Sequence, residues 1–143
     1  MRELPGDVFV TGQLDLMTMT ALVEQGVMSF INNRPDNEAV MQPSADSLAA
    51  AAKELGVDYR NIPMAGGIPQ TTLDASHKAF ATMPRPIVAF CASGMRSAAL
   101  WCFAHVDSLG VDGVLAAVTE AGYSLAQIKP MLEEFEGRNK GNG

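Results

Sequence analysis

The sequence predicts an α/β protein with a mainly parallel sheet that is covered by helices on both faces. Short apolar runs alternate with segments whose apolar residues recur at helical spacing. The apolar runs are nearly continuous, as expected for parallel strands buried on both sides. Hydrophobic residues make up 48% of the 143 residues and charged residues 18%, which suits one globular domain with a real core.

Four apolar runs are predicted to form strands, and each is followed by a polar or glycine-bearing segment. The first run stops at Thr11 and Gly12, and the third alternates as a less buried strand does. The predicted strands are residues 8–10, 27–31, 57–62 and 87–90.

Helical spacing predicts helices between these strands and after the last one. Ser44 is expected to cap the second helix and Gly56 to end it. The predicted helices are residues 14–24, 45–55, 71–83, 97–106, 111–120 and 124–134. We expect a single domain over residues 1–135, followed by a polar, glycine-rich and flexible tail over residues 136–143.

Three loops follow predicted strands, namely residues 34–38, 65–69 and 91–96. Ligand sites of parallel sheets lie beyond the carboxyl ends of the strands. We therefore expect these three loops to meet at one edge of the sheet.

The segment over residues 91–97 is the strongest indication of chemistry. Cys91 follows an apolar strand and Arg96 begins a helix, so the turn lies where free N–H groups and the positive helix end meet. A thiol in this place is expected to be a nucleophilic thiolate near neutral pH. The loop amides and Arg96 are expected to bind an oxyanion above it. The predicted anion-binding residues of this loop are Ala92, Ser93, Gly94 and Met95.

Three further residues are candidates for the same site. Ser97 is interpreted as a helix cap, as a hydroxyl that donates to Cys91, or as both. Arg34 is a possible second anion contact and Asp36 a possible proton donor, although a solvated turn explains both equally well.

Composition argues against several classes of function. The formal net charge of −6 argues against nucleic-acid binding, and no apolar signal or run long enough to span a bilayer is apparent. Only two cysteines occur, which predicts no disulfide framework and a reducing cytoplasm. No Cys/His cluster suggests a metal, so we expect neither metal nor cofactor. The oligomeric state is left open.

The chain resembles the phosphatase-like branch of the beta-lactamase hydrolase-like proteins, within the protein tyrosine phosphatase-like superfamily. The resemblance covers about residues 8–135, and its most specific parts are Asn33-Arg34-Pro35-Asp36 and the Cys91–Arg96 loop. It implies a three-layer fold with a four-stranded, mainly parallel sheet flanked by helices. It also implies that Cys91 is the nucleophile, that Arg96 binds the oxyanion, and that Ser97 assists the leaving thiolate.

The sequence departs from the phosphotyrosine phosphatase pattern in three ways. Four residues rather than five separate the cysteine from the arginine, Phe90 replaces the preceding histidine, and no acid occurs in residues 65–69. The four-residue spacing is similar to the active loop of rhodanese-type sulfurtransferases.

Two chemistries fit the predicted loop. Because sulfur transfer through a Cys91 persulfide needs no general acid, we expect a sulfurtransferase that uses a small anionic substrate or a thiol acceptor. The alternative is a phosphatase that hydrolyses a phosphate monoester through a Cys91 phosphoenzyme. A non-catalytic anion-binding module is the second alternative.

Overall fold

The computed structural model describes the backbone of residues 1–142 and the side chains of residues 1–137. Within these residues the chain forms five strands and five helices, together with a 3₁₀ turn at Ala126–Ile128. The strands are β1 (Arg2–Leu4), β2 (Val8–Thr11), β3 (Ser29–Asn32), β4 (Asp58–Asn61) and β5 (Ile87–Phe90). The helices are α1 (Leu16–Glu24), α2 (Ala45–Leu55), α3 (Gln70–Thr82), α4 (Met95–Glu120) and α5 (Lys129–Asn142).

The strands form one sheet in the order β1-β2-β5-β3-β4. β2, β5, β3 and β4 run parallel, and they match the four predicted strands. The fifth strand, β1, was missed; it pairs antiparallel with β2 at the edge of the sheet. β1 has only three residues and buries only Leu4, so no periodicity marks it in the sequence.

The sheet lies between two helical layers, as predicted. Every residue of the two central strands, β3 and β5, is buried. One face packs against α1 and α2 through a cluster that includes Met19, Phe30, Leu48 and Val88. The larger core packs the other face against α3, α4 and α5 and contains the fully buried Trp101.

Capping residues explain why α2 begins and ends where the sequence predicts. The Ser44 side chain accepts the N–H of Ser47 at the start of α2, and Gly56 ends the helix in the left-handed conformation with φ of 76°. The two helices predicted over residues 97–106 and 111–120 are both present in α4, where the non-helical backbone of Gly110, with φ of 77°, separates them. The first of them starts earlier and ends later than predicted, since it runs from Met95 up to this glycine.

The C-terminal helix differs from the prediction of residues 124–134. It starts with the 3₁₀ turn and continues as α5 to Asn142. The flexible tail predicted over residues 136–143 stays a prediction, since Gly143 and the side chains of residues 138–142 lie outside the described part of the chain.

By length and composition alone, α4 could cross a membrane, which the sequence analysis did not recognise. The helix is interrupted at Gly110, and its first half carries a run of buried residues from Ser97 to Phe103. The buried residues of α4 pack against the sheet, α3 and α5, while only 28% of its most apolar window is buried.

The strand register brings the predicted loops to one edge. Thr11 and Asn32 both lie beside Phe90, and Asn61 lies beside Asn32, so four parallel strands end together. The loops that follow β3, β4 and β5 therefore meet at their carboxyl ends, as the sequence predicts.

Candidate active site

The loop after β5 directs a backbone amide at a cysteine sulfur. Cys91 follows β5 directly, and α4 begins at Met95 with Gly94 as its N-cap. Gly94 has a φ of 95°, a conformation that glycine adopts without the penalty a side chain would add. Its N–H donates to Cys91 Sγ over 3.1 Å. The sulfur therefore lies at the N-terminal, positive end of α4.

Cys91 is buried, but its surroundings are polar. Burial is the largest influence and raises the pKa of the Cys91 thiol. Backbone N–H groups that face the sulfur outweigh burial, so the pKa lies below its ordinary value. These groups belong to Ser97, Ser93, Arg96 and Gly94. Cys91 therefore has a lowered pKa and amide donors around its sulfur, as a nucleophilic cysteine requires, although the residue is 0% exposed.

We expect the two cysteines to ionise at widely different pH values. Burial raises the pKa of the Cys102 thiol to about 12, and its Sγ lies 3.8 Å from the Val114 carbonyl oxygen. A pH titration of thiolate ultraviolet absorbance should therefore show one step below pH 9.0, the ordinary value for cysteine, and this step should belong to Cys91. The step should persist in Cys102→Ser and vanish in Cys91→Ser. Its survival in Cys91→Ser would contradict the assignment.

The Arg96 guanidinium lies beside the sulfur. Its Nη1 donates to the Met64 carbonyl oxygen and to Glu38 Oε2, both over 2.9 Å, and its Nη2 donates to Glu38 Oε1 over 2.8 Å. Hydrogen bonding to Glu38 is the largest cause that raises the pKa of Arg96, and the charge of Cys91 acts in the same direction. Arg96 is therefore anchored by two loops of the same sheet edge while it faces the sulfur.

Glu38 is a site residue that the sequence analysis did not identify. Its Oε1 accepts from Arg34 Nε over 2.9 Å as well as from Arg96 Nη2, so one carboxylate oxygen lies between two guanidinium groups. Arg34 Nη1 also donates to Gln13 Oε1 over 3.1 Å. Arg34 and Glu38 lie four positions apart, but in a loop, where the helical rule for such pairs does not apply. The contact of Glu38 with Arg96 spans 58 positions, so it had no local signal.

Glu38 should contribute to stability in a pH-dependent way. Hydrogen bonds from Arg96, and then from Arg34, lower the pKa of Glu38 from 4.5 to about 2. Because the folded-state pKa is depressed, the contribution is complete above pH 4.5 and is lost as the pH falls through about 2. The difference in unfolding midpoint between the wild type and Glu38→Gln should therefore shrink over this interval in thermal melts.

Glu133→Gln on α5 is the matched control for this experiment, since it makes the same change outside the site. A difference between wild type and Glu38→Gln that stays constant from pH 5 to pH 2 would contradict the pairing of Glu38 with the two arginines.

Ser97 has a different contact from the one predicted. Gly94, rather than Ser97, is the N-cap of α4. The Ser97 hydroxyl donates to Asn33 Oδ1 over 2.8 Å, whereas the prediction had it donate to Cys91. Asn33 Nδ2 in turn donates to the Ile62 carbonyl oxygen over 2.8 Å. These buried bonds join α4 to the chain after β3 and β4, and only the backbone N–H of Ser97 faces the sulfur.

Asp36 also has a structural contact. Its Oδ1 accepts the N–H of Ala45 over 2.8 Å, in the first turn of α2, where a carboxylate is favourable. This contact positions the loop over residues 34–38 against α2. A role for Asp36 as a proton donor stays a prediction.

The remaining predicted anion-binding residues fall into two groups. The amides of Ser93 and Gly94 face the sulfur, and their role in binding an anion stays a prediction. The N–H of Met95 faces the Ser93 Oγ at 3.4 Å, and Ala92 is exposed with its carbonyl near Gly12. In the described residues, no group of three His, Cys, Asp or Glu side chains is placed to hold a metal ion.

The sheet edge and the loop between Cys91 and Arg96 together define a phosphatase-like domain of the cysteine-dependent type. The family described as "Beta-lactamase hydrolase-like protein, phosphatase-like domain" matches residues 1–108, and the chain belongs to this family. A "Beta-lactamase hydrolase-like protein" of Xylella fastidiosa (strain 9a5c) is 32% identical over 127 residues, 87% of this chain. The chain spans only 30% of that relative's length.

Solved structures confirm the fold. A crystal structure of a candidate phosphatase from Neisseria meningitidis is similar with a TM-score of 0.81 at 22% identity, over 94% of this chain and 96% of that one. The core catalytic domain of the PP-IP phosphatase SIW14 from S. cerevisiae is similar with a TM-score of 0.69 at 15% identity, over 93% and 83% of the two chains. The protein tyrosine phosphatase-like fold that the resemblance implied is therefore correct.

Proposed function

We propose that this domain hydrolyses a phosphate monoester, with the Cys91 thiolate as the nucleophile. The observation that carries the proposal is the position of Cys91 Sγ, which faces backbone amides on one side and the Arg96 guanidinium on another. Amides and a guanidinium can bind the equatorial oxygens of a phosphoryl group held over the sulfur. The family to which the chain belongs also supports this reaction.

The reaction has two steps. The Cys91 thiolate attacks phosphorus and forms an S–P bond, while the P–O bond to the alcohol breaks and its electron pair stays with the leaving oxygen, which then takes a proton. Water next attacks phosphorus, the S–P bond breaks, and orthophosphate leaves as the thiolate is restored. Arg96 and the loop amides stabilise the negative charge that develops on the phosphoryl oxygens.

The substrates that we expect are esters with acidic leaving groups. The segment over residues 65–69 contains no carboxylic acid, and the Asp36 carboxylate is bonded to the Ala45 amide. A missing general acid lowers the rate by about 10²–10⁴ for a poor leaving group. An aryl phosphate, which leaves as a stabilised phenolate, depends on that acid least.

Sulfur transfer is the second candidate, and the loop itself favours it. Only four residues separate Cys91 from Arg96, and the Gly94 amide is bonded to the sulfur itself. In this reaction the thiolate attacks the outer sulfur of thiosulfate, the S–S bond breaks, and sulfite leaves with the electron pair. Cyanide or a thiolate then takes the outer sulfur from the Cys91 persulfide and restores the Cys91 thiolate.

One experiment separates the candidates. The wild type is assayed for phosphate release from an aryl phosphate and for thiocyanate formation from thiosulfate and cyanide, with Cys102→Ser as the matched thiol control. We expect phosphate release and, after rapid acid quenching, an intact mass increased by one phosphoryl group. Thiocyanate, with a mass increased by one sulfur, would favour sulfur transfer. If neither product forms, the enzymatic proposal fails and a non-catalytic anion-binding module remains.

A further inference from the structure

Tyr123 is held in a fixed position at the end of α4. The chain leaves this helix through Gly122, whose φ of 101° is in the left-handed region. The Gly122 N–H donates to the Thr119 carbonyl oxygen over 3.0 Å, and the Tyr123 N–H donates to the Val118 carbonyl oxygen over 2.9 Å. This pair of bonds is the Schellman arrangement, which fixes the residue after the glycine. The Tyr123 ring then packs, half-buried, against the main core.

The Tyr123 hydroxyl lies against the loop that holds the nucleophile. A β-carbon added at Gly94 would collide with Tyr123 Oη, and it would also meet the Thr11 carbonyl carbon at 3.3 Å. The phenol oxygen thus fills the space behind Gly94 on the side where other residues carry a side chain. Gly94 is the residue whose N–H is bonded to Cys91 Sγ, so this contact supports the amide that lies closest to the sulfur.

The Tyr123 phenol lies close enough to Cys91 for the charge of the thiolate to influence the pKa of Tyr123. Burial, followed by the negative charge of Cys91, raises the pKa of Tyr123, and the charge of Arg2 lowers it. The Arg2 guanidinium lies beside Gly122, about 3.7 Å from the position a β-carbon would take there. The phenol is therefore neutral near neutral pH, and it lies in the electrostatic field of the Cys91 thiolate.

We propose that Tyr123 is a positioning residue for the Cys91 loop. By occupying the space behind Gly94, its hydroxyl keeps the Gly94 amide directed at the sulfur and so stabilises the thiolate. Tyr123 lies beyond residues 1–108, the part of the chain that the family description matches, so the C-terminal segment completes the site. The proposal rests on Cys91 acting as a thiolate, and it holds for either of the two reactions.

The test is Tyr123→Phe in a Cys102→Ser background, which removes the hydroxyl and keeps the ring. The readout is the midpoint of the thiolate absorbance titration, which needs no substrate, with the Cys91→Ser titration subtracted. We expect the midpoint to rise, so that the thiolate fraction at neutral pH falls about threefold to tenfold. Tyr123→Leu, which removes the aromatic ring as well as the hydroxyl, should raise the midpoint at least as much.

Phe135→Leu is the control, because Phe135 on α5 packs its ring on Phe103 of α4, with the ring centroids 5.5 Å apart. It should lower the melting temperature and leave the thiol midpoint unchanged. If Tyr123→Phe does the same, Tyr123 has only a packing role and the proposal is overturned. An activity assay that fails while the midpoint shifts would reject the proposed function but not the role of Tyr123.

Discussion

Replacing Cys91 by serine is expected to reduce turnover by about 10⁴-fold or more. Serine is nearly the same size, so the loop and its bond from the Gly94 amide should survive. A hydroxyl, however, is not ionised at neutral pH, and the amides that lower the pKa of the Cys91 thiol cannot make it an alkoxide. The measurement is kcat on an aryl phosphate, together with the affinity for inorganic phosphate by calorimetry.

Phosphate binding should remain in Cys91→Ser, because Arg96 and the amides remain. Cys102→Ser should retain wild-type turnover, since the buried Cys102 thiol has a pKa of about 12 and lies outside the loop. Turnover within tenfold of the wild type in Cys91→Ser would exclude Cys91 as the nucleophile. Phosphate binding without any turnover in the wild type would instead indicate an anion-binding module.

Replacing Arg96 by alanine should have the second largest effect, a loss of about 10²–10³ in kcat/KM. The substitution removes a charged donor from beside the sulfur. It also removes the hydrogen bonds that Arg96 donates to the Met64 carbonyl oxygen and to Glu38. Arg96→Lys should recover little activity, because one ammonium group cannot bond several oxygens in the fixed geometry of a guanidinium. Steady-state kinetics on an aryl phosphate measures both effects.

Arg60→Ala is the charge-matched control for Arg96→Ala. Arg60 is exposed on β4, where its Nη1 lies 3.6 Å from Asp58 Oδ1, and it belongs to no part of the site. This variant should keep wild-type kcat/KM. Full activity in Arg96→Lys would show that a positive charge is enough and that the geometry of the guanidinium is not required.

Several local features were predictable because short-range interactions decide them. α2 begins after Ser44 and ends at Gly56 because a hydroxyl cap and a left-handed glycine are effective within a few residues. β5 and the following loop were predictable for the same reason, since an apolar run, a glycine and a helix start are contiguous. The meeting of three loops at one edge followed from the parallel strand order.

Other features could not be predicted locally. β1 is too short to show a period, and only its pairing with β2 makes it a strand. The first part of α4 runs past its predicted end at Val106 as far as Gly110, whose non-helical backbone separates the two predicted helices. The sequence also does not show where a side chain points. For this reason the Ser97 hydroxyl was predicted to donate to Cys91, although it donates to Asn33 Oδ1.

The amino-acid sequence by itself determined the class of fold, the loop from Cys91 to Arg96 and the sheet edge at which that loop lies. These follow from spacing along the chain, where each interaction spans only a few residues. Only the tertiary structure decided which groups surround the sulfur. Glu38 reaches Arg96 and Tyr123 reaches Gly94 because packing of the sheet and helices brings distant segments together, and no local pattern records such contacts.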